Sequence, residues 1–202
     1  MEIPPVALIV FNRPEKTQRL LDALRGVRPP HLLVVGDGPR GTVPGDVERV
    51  AKCREILKQI DWPCRVEWNL SDINLGCRRR VSSGIDWVFG QVDRAIVLED
   101  DCLPHPSFFP YCAELLERYS EHPRVLSVSG TNYSSRRLFQ ESYAFSRYVR
   151  VWGWATWRRA WQGHYDVQLA KWGDSRNKEE LAKALFGATP VARFWSRSFD
   201  RV

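Results

Sequence analysis

Residues 95–101 read Ala-Ile-Val-Leu-Glu-Asp-Asp, four apolar residues followed directly by three carboxylates. A short continuous apolar run of this kind is typical of a strand buried inside a parallel sheet. The carboxylates are then expected at the carboxyl edge of that sheet, where ligands bind in open α/β folds. This stretch therefore predicts both a fold class and the place to look for chemistry.

The alternation of strand-like and helix-like segments extends to both sides of this stretch. Further strands are expected at Val6–Phe11, Leu32–Val35, Cys64–Leu70 and Val125–Val128. Helical periodicity fills the gaps, in Pro14–Gly26, in a helix with Val47, Val50, Ala51, Leu57 and Ile60 on one side, in the segment after Asn74-Leu75-Gly76, and in Phe108–Tyr119. This order predicts an α/β fold with a mostly parallel sheet flanked by helices.

Domain organisation follows from where the alternation stops. Residues 1–130 form the predicted α/β core, and residues 131–202 form an aromatic-rich extension of the same single domain, 1–202. The chain stops at Arg201-Val202 after an aromatic stretch without a polar tail. We therefore expect the C-terminal part of the domain to be incomplete.

Composition narrows the class of protein. With 44% hydrophobic and 27% charged residues among 202, the chain is predicted to be globular, and its apolar runs are too short to span a bilayer. The N-terminus lacks the basic start of a signal peptide. The whole net charge of +6 lies in residues 102–202, which favours an anionic ligand, a nucleic acid or an acidic membrane surface without choosing among them.

The five cysteines bear on the compartment. They are Cys53, Cys64, Cys77, Cys102 and Cys112. An odd count without a C-x-x-C pair argues against a disulfide framework and against a zinc ribbon. Reduced thiols in a cytoplasmic protein are expected, with a place at the inner membrane surface left open.

The acidic cluster Glu99-Asp100-Asp101 predicts a cation site. Adjacent carboxylates repel one another, and burial raises their pKa values unless positive charge compensates. Mg²⁺ or Mn²⁺ takes oxygen ligands and shares them with the phosphates of a substrate. The alternative is an ordinary acidic loop that caps the next helix, but Ser107 is the better N-cap for the helix at Phe108.

The carboxylates belong to an ordered set of motifs. Val97-Leu98-Glu99-Asp100-Asp101 is followed by Pro106-Ser107-Phe108-Phe109 and Tyr111, and the set also includes Pro5–Arg13, Val34–Gly38, Asn74-Leu75-Gly76 and Trp152-Gly153-Trp154-Ala155-Thr156-Trp157. The set resembles the N-acetylglucosaminyltransferase I family and related bacterial glycosyltransferases, grouped as family 2 or haemolytic-protein-like. The resemblance covers most of residues 4–161 and implies the Rossmann-like GT-A fold of nucleotide-diphospho-sugar transferases.

The resemblance assigns roles to the carboxylates. It implies that Asp101 ligates Mn²⁺ or Mg²⁺, which bridges the nucleotide phosphates, that Asp100 reaches the ribose and that Glu99 reaches the hydroxyls of the transferred sugar. Asp37 matches a carboxylate that accepts a hydrogen bond from uracil, with a simple Asp-Gly turn as the alternative.

The resemblance also places basic residues at the donor. Arg13 matches a basic residue near the diphosphate. Arg78, Arg79 and Arg80 begin a helix, whose N-terminus already favours anions, so one of them is expected to contact phosphate and the others to be solvated.

The tryptophan-rich motif has two readings. Trp154, Trp157 and Trp161 are spaced i, i+3 and i+7, so they share a face if the stretch is helical. We expect Trp157 and Trp161 to pack in the core, and Trp152, Gly153 and Trp154 to form a wall that faces the sugar.

The general base is the departure from the family pattern. An inverting transferase needs a group that takes the proton from the acceptor hydroxyl, and in the resembling proteins this is an Asp in a Trp-Asp segment downstream of the tryptophan motif. No such dipeptide follows Trp161. Asp174 and Asp200 are the available acids, and the catalytic residue stays unassigned.

The functional hypothesis is a metal-dependent, inverting glycosyltransferase that moves a sugar from a UDP-linked donor to a hydroxyl acceptor, with N-acetylglucosamine as a candidate sugar. Its partners are then the nucleotide sugar and a saccharide or other acceptor, with peripheral membrane contact left open. One alternative is a catalytically incomplete nucleotide-binding module of the same fold. Two weaker alternatives are a nucleic-acid-binding protein, disfavoured by dispersed basic residues, and a phosphatase-type carboxylate nucleophile.

Overall fold

The computed structural model describes residues 2–131, 140–169, 172, 178–187 and 190. It confirms the predicted fold class, since a Rossmann-like mixed sheet is flanked by helices. The strands are β1 (Val6–Val10), β2 (His31–Gly36), β3 (Arg65–Leu70), β4 (Arg94–Glu99), β5 (Val128–Ser129) and β6 (Trp154–Trp157). The helices are α1 (Pro14–Val27), α2 (Asp46–Leu57), α3 (Cys77–Gln91), α4 (Phe108–Arg118), α5 (Arg158–His164) and α6 (Lys178–Phe186).

The sheet has the strand order β3-β2-β1-β4-β6-β5. Strands β1, β2, β3 and β4 are mutually parallel, whereas β6 runs antiparallel to both β4 and β5. Every residue of β1 is buried, and so is the apolar run Ala95–Leu98 of β4. Burial on both faces explains why these strands are continuous apolar runs rather than alternating ones.

The helices begin and end close to the predicted positions. The prediction is wrong about which face of α2 is buried. Helix α1 starts at Pro14, where a missing N–H costs nothing, and buries the stripe Leu20, Leu21 and Leu24. In α2, Val47 is 58% exposed and Ala51 is also exposed, so the predicted face is wrong there. The buried face of α2 instead carries Val50, Cys53, Ile56 and Leu57, because Cys53 serves as an apolar residue that the pattern had omitted.

The chain divides into two compact units, Met1–Gly163 and His164–Val202. The first unit includes β6, which pairs with β4 in the main sheet although it belongs to the segment predicted as an extension. In the second unit, Trp172 and Ala182 pack with Leu169 and Leu181.

Three further features concern local structure. The strand expected at Val125–Val128 is reduced to Val128–Ser129. Ser107 does occupy the N-cap position of α4, but its hydroxyl pairs with His105 Nδ1 at 2.8 Å and does not cap the helix. None of the five cysteines, all of them in the described ranges, forms a disulfide, and no helix within those ranges is long and apolar enough to cross a membrane.

Candidate functional site

The strand order of the sheet indicates where a ligand would bind. From β1 the chain moves outward to β2 and then β3, and it returns to place β4 on the opposite side of β1. In open α/β sheets, ligands bind where the strand order reverses, outside the carboxyl ends of the strands. Here that point lies between the ends of β1 and β4, at the loops that begin with Phe11 and Asp100.

Two charged loops meet at this switch point. Arg13, which precedes α1, forms an ion pair with Asp100 through Nη2 and a second one with Asp101 Oδ2 through Nη1, at 2.8 Å. Lys16 Nζ lies 3.9 Å from the same Asp101 oxygen. The Phe11 N–H donates to Asp100 Oδ2 at 3.3 Å, which ties the buried carboxylate to the end of β1. Arg13, expected near the diphosphate of a donor, thus contacts two carboxylates of the acidic motif directly.

The three adjacent carboxylates differ in their electrostatic environments. Burial raises the pKa of Glu99, and the negative charges of Asp101 and Asp100 raise it further. Burial also raises the pKa of Asp100, although Arg13 opposes the shift. For Asp101, burial is outweighed by the Trp152 hydrogen bond and by Arg13, so its pKa is lowered. Asp101 is therefore the member of the motif that most readily carries a full negative charge.

The fit of the predicted divalent cation depends on Asp101. Within the described ranges, no three His, Cys, Asp or Glu side chains converge to form a metal cage. The Asp101 side chain is 24% exposed, whereas that of Asp100 is 1% exposed. Mg²⁺ is often held by one or two carboxylates together with substrate phosphates and water. The residues therefore fit a cation shared with a phosphate ligand and do not fit a cage made by protein alone.

Asp46, a buried carboxylate outside the acidic motif, holds the loop after β1 in place. It is fully buried and accepts hydrogen bonds from Asn12, from Arg40 and from Arg49. The Arg40 hydrogen bonds are the main reason why its pKa lies well below the usual range. Asn12 adjoins Arg13, so this ion cluster holds the arginine-bearing loop in place at the crevice.

Asp37, predicted to recognise uracil, has no open acceptor site. Its Oδ1 accepts from Gly38 N and Leu75 N, both at 2.9 Å. Its Oδ2 accepts from Asn74 Nδ2 at 3.0 Å and from Gly76 N at 3.1 Å. A carboxylate has about four acceptor sites, so these four donors satisfy it completely. The structure thus favours the turn alternative, in which Asp37 joins the end of β2 to the turn before α3.

Two of the three arginines at the start of α3 are exposed, and the third is buried. Arg78 and Arg79 are exposed at the first turn, as a phosphate contact requires. Arg80 is buried and donates to the Gly36 carbonyl at 3.2 Å and to Asn69 Oδ1 at 2.7 Å. The expectation of a solvated side chain is therefore wrong for Arg80, which cross-links the ends of β2 and β3.

The tryptophan motif is a strand followed by a helix, so Trp154 and Trp161 do not share a helix face. Trp154 is 7% exposed, with its ring centroid 6.3 Å from that of Trp161. A ring enclosed in this way cannot form a sugar-facing wall, so that prediction is wrong for Trp154. Trp157 and Trp161 are buried as predicted, and Trp157 Nε1 donates to the Leu116 carbonyl at 2.9 Å.

Trp152 is the member of the motif that reaches the site. The residue is 51% exposed, and its Nε1 donates to Asp101 Oδ1 at 3.1 Å. The next residue, Gly153, has φ = 68°, a left-handed conformation that favours glycine. This turn lets Trp152 stand out at the site while Trp154 enters the sheet.

An open groove of about 1660 Å³ adjoins Asp101 and Trp152. Its lining combines aromatic and basic side chains, among them Tyr111, Phe145, Arg124 and Arg147. This volume exceeds that of a typical small-molecule cavity, about 300–1,000 Å³.

Sequence reasoning missed two contributors to this region and left two candidates outside it. Lys16 follows Arg13 by one helical turn, a spacing that could have identified it. The exposed segment before Trp152 could have been identified by its mixed aromatic and basic composition. Asp174 and Asp200, the candidate bases, lie outside the described residues.

Comparison with known proteins found similarity among solved structures only. No family model matches the chain, and no curated protein matches it. Among solved structures, it is similar to the 4-diphosphocytidyl-2C-methyl-D-erythritol synthase of Anaerococcus prevotii, with 11% identity and a TM-score of 0.48. That alignment covers 98% of this chain and 84% of the other.

Proposed function

We propose that the chain is a metal-dependent glycosyltransferase that binds a nucleotide-diphospho-sugar, with UDP as the nucleotide, at the β1–β4 switch point. The observation that carries the proposal is the contact of Arg13 with Asp100 and Asp101 at that crevice. Basic side chains next to a partly exposed carboxylate are suited to bind phosphates together with a divalent cation. The resemblance in the ordered motifs supports a sugar donor over a simple nucleotide.

Each residue has a distinct part in this proposal. Asp101 would hold Mn²⁺ or Mg²⁺, and the cation would neutralise the negative charge that develops on the leaving diphosphate. Arg13 and Lys16 offer cationic donors to the same phosphates, and Arg13 keeps Asp100 in place. Arg78 and Arg79 are further candidates for phosphate contact at the start of α3. Asp100 and Glu99 keep their proposed parts toward ribose and sugar, whereas Asp37 is assigned to the turn.

The acceptor side of the reaction is proposed for the groove beside Asp101. The groove is open and includes Asp101 in its lining, so a ligand bound there would lie next to the proposed donor. The group that takes the proton from the acceptor hydroxyl is not assigned.

Calorimetric titration of UDP and of UDP-N-acetylglucosamine, with Mn²⁺ or with chelator, tests the proposal. We expect binding that requires Mn²⁺ and that weakens about tenfold or more in Asp101→Asn. The matched control is Asp93→Asn, because Asp93 lies at the opposite end of β4, with an 86% exposed side chain. Equal affinity with Mn²⁺ and with chelator, or equal weakening in the control, would overturn the proposal.

A further inference from the structure

A contiguous exposed segment, Phe145–Trp152, lies before β6, and we refer to it as the strap. All eight of its residues are exposed. Five of them are large and apolar or aromatic: Phe145 (69% exposed), Tyr148 (39%), Val149 (56%), Val151 (56%) and Trp152 (51%). Several large apolar side chains exposed within one short segment are typical of an interaction site.

The charge of the strap points to an anionic partner. Arg147 and Arg150 are its only charged residues, and the sequence contains no Asp or Glu from Ser142 to Tyr165. The strap belongs to the half of the chain that holds the entire excess of positive charge. A partner must therefore accept apolar side chains and attract guanidinium groups at the same surface.

The two ends of the strap are fixed to the folded core. At one end, the Tyr143 hydroxyl is 2.7 Å from that of Tyr119, and the Phe145 ring meets the Tyr119 ring edge-on at 5.5 Å. At the other end, Thr131 Oγ1 donates to the Trp152 carbonyl at 2.6 Å, and β6 follows. The strap is thus supported at both ends, and its side chains are exposed along the open groove beside Asp101.

We propose that the strap docks the protein onto an anionic lipid bilayer. Aromatic side chains with basic neighbours suit the boundary between headgroups and acyl chains, where rings enter and guanidinium groups meet lipid phosphates. Trp152 belongs both to the strap and to the site around Asp101, so docking would bring the crevice to the membrane surface. The proposal does not depend on the glycosyltransferase proposal.

Co-sedimentation with vesicles tests this inference. The probes are vesicles of phosphatidylcholine and vesicles of an equal mixture of phosphatidylcholine and phosphatidylglycerol, each at low and high salt. We expect the protein to bind the mixed vesicles and to bind them less at high salt, because salt screens exposed charges. Absence of binding to the mixed vesicles, or equal binding to both kinds, would overturn the proposal.

Strap substitutions with matched controls give the residue-level test. We expect Arg147→Gln to weaken binding about fivefold, and Val149→Ser with Phe145→Ser to weaken it about tenfold or more. The controls are Val47→Ser, where Val47 is 58% exposed on α2, and Arg19→Gln, on the exposed side of α1. Equal losses in strap variants and controls would assign the binding to general charge and contradict the docking role.

Two further measurements separate the remaining outcomes. Sedimentation equilibrium without lipid would show whether the strap joins two copies of the chain, and a dimer abolished by Val149→Ser with Phe145→Ser would overturn the lipid assignment. Binding of UDP with Mn²⁺ is measured on the same variants without vesicles. Loss of vesicle binding with intact nucleotide binding supports docking by the strap, and failure of nucleotide binding alone refutes only the proposed function.

Discussion

The central strand β1 has a carboxylate beyond the end of each neighbour, and the two have opposite surroundings. Asp37, after β2, is 5% exposed and accepts four hydrogen bonds from uncharged donors of the adjoining turn. Asp101, after β4, is partly exposed and faces Arg13, Lys16 and the Trp152 N–H. Both lie at the edge of the sheet where ligands bind, so position alone does not make a carboxylate functional. The hydrogen bonds that the protein donates to each carboxylate decide which of the two can still bind a ligand.

The largest effect on stability is expected at Asp37. Asp37→Ala leaves the N–H groups of Leu75 and Gly76 without acceptors inside a buried turn, so we expect a loss of about 3 kcal/mol in the free energy of unfolding. Urea denaturation followed by circular dichroism measures the loss. A variant as stable as the wild type would break the comparison, because Asp37 would then be free for a ligand.

A smaller effect is expected at Gly38, on the same turn. A Cβ added there would lie 2.4–2.6 Å from the backbone C, O and N of Ile73. Gly38→Ala should therefore cost about 2 kcal/mol of unfolding free energy, because backbone must move to make room. Gly41→Ala is the matched control, since a Cβ at Gly41 meets nothing within 4 Å. Equal stabilities of the two alanine variants, measured in urea, would show that the turn is not packed as described.

The buried carboxylate Asp46 predicts a dependence on pH. Its pKa in the folded protein lies below the unfolded value, so its contribution to stability is complete above about pH 4 and is lost as the pH falls further. We expect Asp46→Asn to melt several degrees lower than the wild type at pH 7. The difference in melting temperature should shrink at pH 3, and scanning calorimetry at the two pH values measures it. A difference that stays constant between them would argue against the ion cluster.

The smallest effect on stability is expected at Asp101. Its contacts with Arg13 and Lys16 involve partly exposed side chains, so Asp101→Asn should change the free energy of unfolding by less than about 1 kcal/mol. Urea denaturation beside Asp37→Ala gives the direct contrast. A loss as large as that of Asp37→Ala would mean that Asp101 is also a structural carboxylate.

The sequence predicted the parallel core well, because buried strands and amphipathic helices leave periodic patterns that depend on local residues alone. For this reason, the predicted ends of β1 (Val6–Val10) and β4 (Arg94–Glu99) lie within one residue of the observed ends. Arg13 and the acidic motif were both singled out as donor-site candidates, but their direct pairing was not predicted. The resemblance was needed to give those residues roles.

The errors have a common physical cause, which is that partners distant in sequence decide them. The resemblance gave Asp37 a contact with uracil, with an Asp-Gly turn as the alternative, and the sequence could not show that the distant Asn74 and Gly76 donate to it. Trp154 was expected at the surface because nothing local indicates that β6 enters the sheet beside β4. Arg80 was expected in solvent because its acceptors belong to the ends of β2 and β3.

The position of a bound metal tests the central claim most directly. Crystals grown with UDP and Mn²⁺ give an anomalous signal that locates the metal independently of the protein. We predict a peak about 2 Å from an Asp101 carboxylate oxygen, with the diphosphate on its other side, and no peak at Asp37. UDP bound with its metal away from Asp101, or an unchanged peak in Asp101→Asn, would contradict the account.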